Sequence, residues 1–243
     1  RRVRPIPPNV DSDATSRTMD RSPDYAQVIA RPRPPIESLG APRVARELAE
    51  IGNDGMAELV AKYPDRFPAF IAGLPMNDPE GLLKEAERAI GKLGAVGVQV
   101  FSNVNGAPLT APATLPLFDL MAKLDRPIWM HPARGAETPD YRSEKKSHYE
   151  IWWTLGWPYE TSVAMAHMVF GGLFDRHPGF KLITHHMGGM IPYFEGRVGP
   201  GWDQLGTRTS DEDYAPLLAA MNKRGKRPLD YFRMFYADTA TFG

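Results

Sequence analysis

The chain has 243 residues, 42% of them hydrophobic and 24% charged, which is enough for one large domain with a sizeable core. Lys plus Arg and Asp plus Glu each number 29, so the net charge is zero and no global field draws nucleic acid or an anionic membrane. Cysteine is absent, which excludes disulfides and thiolate metal sites and leaves His, Asp and Glu to hold any metal.

No apolar run reaches the roughly 18–20 residues that span a bilayer, and nothing resembles a signal peptide, so a cytoplasmic protein is expected. The chain begins at Arg1 without a methionine and stops at Gly243 just after an apolar run, so further residues are expected beyond both ends.

Residues 1–24, rich in Pro, Arg, Asp and Ser, read as an arm or loop with a short helix over 14–21; residues 25–243 read as a single domain. Short apolar runs follow at 25–30, 67–74, 95–101, 126–132, 180–186 and 234–240. Most are too continuous for a strand with one wet face and suit strands covered on both sides.

Helical patterns lie between them. Over 41–64 the pattern fits one or two helices. Over 77–94 Asp78 caps, Pro79 suits the first turn, and Leu82, Ala86, Ala89, Ile90 and Leu93 form one stripe. A shorter helix is predicted over 113–125 and a long one over 159–179, ended by His177, Pro178 and Gly179.

Six strands alternating with helices predict an α/β fold with a parallel sheet, either doubly wound or closed as a (β/α)8 barrel. A dinucleotide-binding sheet would carry a glycine fingerprint after an early strand, and none occurs. Polar residues gather instead just beyond the strands: Arg31, Arg33, Ser102, Asn103, His131, His185, His186 and Asp238. Barrel enzymes place their chemistry on such a rim, so a barrel is favoured, with six of its eight strands visible.

His131 ends a buried strand, where a neutral imidazole is a good ligand for zinc, manganese or iron, or a hydrogen-bonding partner for a loop. Adjacent strand residues point to opposite faces, so at most one of His185 and His186 is expected to enter the same pocket. Gly188 and Gly189 leave room for a substrate or a sharp turn. His167 and His177 read as structural, and His148 as a surface residue. The loop 150–160 carries Trp152, Trp153 and Trp157, which fit a lid, a pocket wall or a subunit interface. Trp153 from this loop and Asn103 from the rim are candidate substrate-binding residues.

The stretches 63–90, 96–106, "WMHPARG" (129–135), "GGLFDRHPGFKLITHHMGGMIPYFEGR" (171–197) and "YFRMFYADTA" (231–240) occur in unbroken order. Together they resemble the amidohydrolase branch that contains aminocarboxymuconate semialdehyde decarboxylase and γ-resorcylate decarboxylase. The resemblance implies a (β/α)8 barrel with one divalent metal, zinc foremost and manganese next. It makes His131 a metal ligand and His186 the acid/base residue, with His185 as its outward neighbour. In relatives the arginine closing this motif can reach into a neighbouring subunit's site, so the resemblance makes Arg197 a candidate for binding the substrate carboxylate in a homodimer or larger homo-oligomer, with a local surface salt bridge as the alternative.

The family's His-x-His or Glu-x-His pair on the first strand and its Asp on the last have no match here, and Asp238 falls on the seventh strand. The six visible strands are then numbers two to seven. The resemblance implies a metal-dependent decarboxylase of a small aromatic or unsaturated carboxylic acid. The alternatives are a hydrolase or hydratase of the same superfamily and a non-catalytic barrel that binds a small acid; no nucleic-acid or membrane partner is expected.

Overall fold

The computed structural model describes residues 12–240 apart from Pro23, Pro32 and Ser210; residues 1–11 of the expected arm lie outside the described residues. Helix α1 (Ser12–Met19) comes first, with Met19 buried and the following Asp20 paired to Arg66 at 2.9 Å. Strand β1 (Val28–Ala30), helix α2 (Pro42–Lys62), β2 (Ala69–Gly73), α3 (Pro79–Gly91) and β3 (Val98–Phe101) follow. α2 is one continuous helix. At the start of α3 the carboxylate of Asp78 accepts from the Gly81 N–H at 3.1 Å, and Leu82, Ala86 and Ala89 are buried.

Beyond β3, Asn105 and Gly106 take positive φ and close a hairpin of β4 (Asn103–Val104) and β5 (Ala107–Pro108). Then come α4 (Leu115–Lys123), β6 (Ile128–His131), α5 (Ile151–Thr154), α6 (Gly156–Phe170), α7 (Leu173–Arg176), β7 (Leu182–Thr184) and α8 (Glu195–Asp203). The order ends with α9 (Ala215–Lys223), α10 (Pro228–Phe232) and β8 (Tyr236–Ala237). The single helix expected over 159–179 is two, α6 and α7, because the chain turns at Gly172 with φ +75°, a conformation that side-chain-bearing residues avoid.

One sheet joins the strands in the order β1-β2-β3-β6-β7-β8, every neighbouring pair parallel. These are the six strands expected from the sequence. Their spatial order follows the chain without reversal, so the sheet lacks the switch point of a doubly wound fold and winds as a barrel does. The described residues therefore form six consecutive staves of a (β/α)8 barrel, and β1 and β8 are not paired to each other.

Outward-facing Val98, Val100, Ile128, Met130 and Leu182 are fully buried in one core with Leu82, Leu117, Phe118, Met121, Met168 and Phe174 of the covering helices. The alternate residues Trp129, His131 and Ile183 face inward and are half-buried. The inner face is thus only partly covered here. No described helix is long and apolar enough to cross a membrane.

α2 is tied to the sheet by a buried polar clamp. The Asn53 amide donates to the Gly73 carbonyl at 2.9 Å and to Glu85 at 2.6 Å, and its oxygen accepts the Gly73 N–H at 2.9 Å. Asn53→Ala is expected to cost about 2 kcal/mol, because it strands the buried N–H and carbonyl of Gly73, while Glu85 keeps its pairing with Arg88. Chemical denaturation of the two proteins checks this; an unchanged midpoint would show that water replaces the clamp.

Candidate active site

The ladder carries four side chains to one inward layer at the carboxyl ends of the strands. Phe101 pairs with His131, and the register continues as the His185 N–H donates to Met130 O and the Asp238 N–H donates to Thr184 O. Phe101, His131, His185 and Asp238 therefore lie side by side on β3, β6 and the extensions of β7 and β8.

His186 joins them, which an extended strand would forbid. The chain leaves extended geometry just after His185 (φ −74°, ψ 158°), and His186 and Met187 adopt φ of 56° and 54°. This left-handed turn swings the second ring back toward the first. The His131 ring centroid lies 5.1 Å from that of His185 and 5.4 Å from that of His186. The expectation that only one of the pair enters the pocket, with His185 pointing outward, is corrected: both rings adjoin His131.

Each imidazole has its Nδ1 edge against an oxygen. His131 Nδ1 is 2.8 Å from the Pro132 carbonyl and His186 Nδ1 is 3.1 Å from the Ala240 carbonyl. A carbonyl only accepts, so in both rings Nδ1 carries the proton. His185 Nδ1 lies 3.3 Å from the carboxylate of Asp238. The opposite nitrogens, Nε2 of His185 and His186, are buried with no hydrogen-bond partner. Burial, then the nearby His185, pushes His131 down to about 3 against the pull of the Pro132 carbonyl. Burial also lowers His185, opposed by Asp238.

Imidazoles with Nδ1 engaged and Nε2 free have the usual electronics of metal ligands, so the donor chemistry fits a divalent cation. The number of donors is short: among the described residues no group of three His, Asp or Glu side chains is placed to enclose a metal ion. A catalytic zinc takes three protein ligands.

The roof of the cluster is Trp157, at the start of α6. Its indole stacks on His186 at 5.4 Å and 23°, meets His131 edge-on at 5.1 Å, and donates from Nε1 to the Arg134 carbonyl. Sequence reasoning singled out Trp153 instead. That residue lies one layer further out, 6.2 Å from Trp157, with its N–H on Glu150. Helical spacing could have separated them: Trp157 is the tryptophan that begins the long helix after the loop.

Asn103 sits beside the site with both ends of its amide in use. It donates to Ala133 O and accepts from Gly106 N–H, each at 2.9 Å, and so joins the β4–β5 hairpin to the loop after β6. Arg197 is exposed on α8, its N–H donating to Phe194 O at 2.8 Å, and its side chain has no hydrogen-bond or ion-pair partner among the described residues. His177 bridges to Asp119 at 2.7 Å, away from the cluster.

Sequence reasoning missed Glu37, a buried carboxyl beneath the rim and close to Arg31. One of its oxygens is buried without a partner, and burial raises the group to about 7 against the opposing effects of its own backbone N–H and Arg31. Below pH 4.5, its ordinary value, it is protonated whether the chain is folded or not. Between there and about 7 the unfolded chain loses the proton first, so stability falls by about 3 kcal/mol and then levels off. Glu37→Gln is expected to flatten that stretch of the stability curve; an equally steep decline in the variant would assign it to other groups.

Residues 13–226 match the model of the amidohydrolase family. The chain is 30% identical over 229 residues to 2-amino-3-carboxymuconate-6-semialdehyde decarboxylase of Dictyostelium discoideum, which covers 94% of this chain. It is 33% identical over 192 residues, 76% of its length, to γ-resorcylate decarboxylase of Rhizobium sp. strain MTP-10005. It spans only 59% and 58% of these two relatives. A solved structure, the dihydroxybenzoic acid decarboxylase of Polaromonas sp. JS666 with bound manganese and the inhibitor 2-nitroresorcinol, superposes with a TM-score of 0.74 at 28% identity. That superposition covers 93% of this chain and 66% of the other. The barrel staves, the histidine-bearing rim and the matches over most of the chain lead to one conclusion: the chain belongs to the amidohydrolase family.

Proposed function

We propose that the protein is a metal-dependent carbon–carbon lyase that decarboxylates a small aromatic or unsaturated carboxylic acid. The observation that carries this reading is the convergence of His131 with His185 and His186 on a rim whose sequence aligns with decarboxylases. In this reading His131 is one ligand of a divalent ion, manganese or zinc. When bound, the ion supplies Lewis-acid polarisation of a substrate oxygen.

The chain's own groups do the rest. His186, its Nδ1 proton held on Ala240 O, takes up a second proton from solvent at Nε2 before the acid binds and delivers it to the carbon bearing the carboxylate. The bond from that carbon to the carboxylate carbon then breaks, carbon dioxide leaves, and the bonding pair restores the conjugated system. Trp157, stacked on His186, offers a flat wall to a planar acid and keeps water from the ring nitrogen. Trp153 lines the entrance, Asn103 acts by holding the hairpin, and Arg197 is free to reach a neighbouring subunit.

The test is product analysis on the metal-loaded protein with γ-resorcylate and a panel of hydroxybenzoates and muconate-type acids. One carbon dioxide per acid consumed is expected. A product that retains every carbon would replace the lyase with a hydrolase or hydratase, and binding without turnover would leave a small-acid-binding barrel.

A further inference from the structure

We infer that Arg33 is the carboxylate anchor of this site, its guanidinium fixed over Trp157 beside the imidazole cluster. This rests on the reading above in taking the ligand to be a small carboxylic acid.

The geometry starts with a single carbonyl. Arg134 O accepts from Arg33 Nη1 at 2.9 Å and from Trp157 Nε1 at 3.0 Å. Cation and indole are therefore locked in register with each other. The guanidinium carbon stands 5.0 Å from the Trp157 ring centroid and 5.5 Å from that of Trp152, within the range of a cation–π contact. Trp157 in turn stacks on His186. Arg33, Trp157 and His186 thus form a tier running from the loop after β1 to the turn after β7.

Charge completes the case. Arg33 is half-buried, yet it has no ion-pair partner among the described residues, and its Nε and Nη2 have no protein acceptor there. Its neighbours are already committed: Arg134 pairs with Glu160 at 3.3 Å, and Arg31 faces Glu37 and donates to Pro34 O. The carboxylate of Glu137 acts on Arg33 only at longer range. A partly desolvated guanidinium with donors to spare is a site for an anion. Its planar fork matches a carboxylate, and its stacking leaves the N–H edge free to bind one. Arg197, exposed on α8, has no comparable support from within its own chain.

The experiment compares an acid with its neutral counterpart. γ-Resorcylate and resorcinol, which differ by the carboxylate alone, are titrated into the metal-loaded protein, with binding followed by tryptophan fluorescence. The wild type is expected to prefer the acid. Arg33→Gln is expected to weaken γ-resorcylate binding about tenfold to a hundredfold, the loss of a charge-assisted contact, and to leave resorcinol binding unchanged. Arg33→Lys should recover only part of the loss, since an ammonium keeps the charge without the fork. Equal weakening of both ligands would reduce Arg33 to a packing residue, and no preference for the acid in the wild type would overturn the anchor outright. Because the readout is binding, an Arg33-dependent preference without carbon dioxide release would retain the anchor and remove the lyase. Carbon dioxide release with unchanged affinity in Arg33→Gln would do the reverse.

Discussion

His186→Ala is expected to lower the proposed turnover by roughly a hundredfold to ten-thousandfold, the span typical of a lost acid/base group, while the bound metal stays unchanged. The argument begins with its backbone. His186 sits at φ +56°, in the turn that brings its ring beside His131 and beneath Trp157. Its Nδ1 proton is spent on Ala240 O, so only the buried Nε2 can exchange a proton with a ligand. His131→Ala, in contrast, removes the imidazole that burial keeps neutral and ready to coordinate, and metal content should fall with activity. His186→Asn serves as the backbone control, because asparagine tolerates the left-handed region. Elemental analysis alongside carbon dioxide release separates the cases. Parallel metal loss in His131→Ala and His186→Ala would make His186 a ligand, and full turnover in His186→Ala would move the acid/base role to His185.

The barrel was legible because its signal is local. Apolar runs at 67–74, 95–101, 126–132 and 180–186 contain β2, β3, β6 and β7, and the Asp78-Pro79 pair marks the start of α3 by chemistry acting within one turn. The site was legible only in part, because its decisive feature is a departure from regular structure. Period-two alternation separates His185 from His186, and it ceases to apply one residue after His185, where φ changes sign. Trp157 was hidden for a different reason: three tryptophans in six residues look alike until a helix fixes which one reaches the strand ends. Arg33 and Glu37 were harder still. Spacing put Arg33 on the rim, but its role comes from Arg134, 101 residues away, and that of Glu37 comes from burial, which leaves no mark in the spacing of the chain.

Gly189→Val is expected to destabilise the fold by roughly 4 kcal/mol, combining backbone strain with overpacking. Gly189 adopts φ +66° and ψ −125°, a region essentially closed to residues with a side chain. A Cβ there would stand 2.5 Å from the Pro158 carbonyl and 2.9 Å from Ser162 Oγ. Neither neighbour can yield freely. Ser162 Oγ donates to Pro158 O at 2.7 Å and accepts the Met190 N–H at 2.8 Å, so the turn is pinned to the first turns of α6. For a domain of this size the change corresponds to a fall in melting temperature of roughly 8–16 °C. Gly188→Ala is the matched control. Gly188 also has positive φ, but its added Cβ would meet nothing closer than 3.6 Å, so only the backbone term of about 1–2 kcal/mol remains. Equal losses in the two variants would show that α6 moves aside and that conformation alone selects glycine here. A larger loss in Gly189→Val would establish the contact, and the same contact sets how closely Trp157, carried on α6, can approach His186.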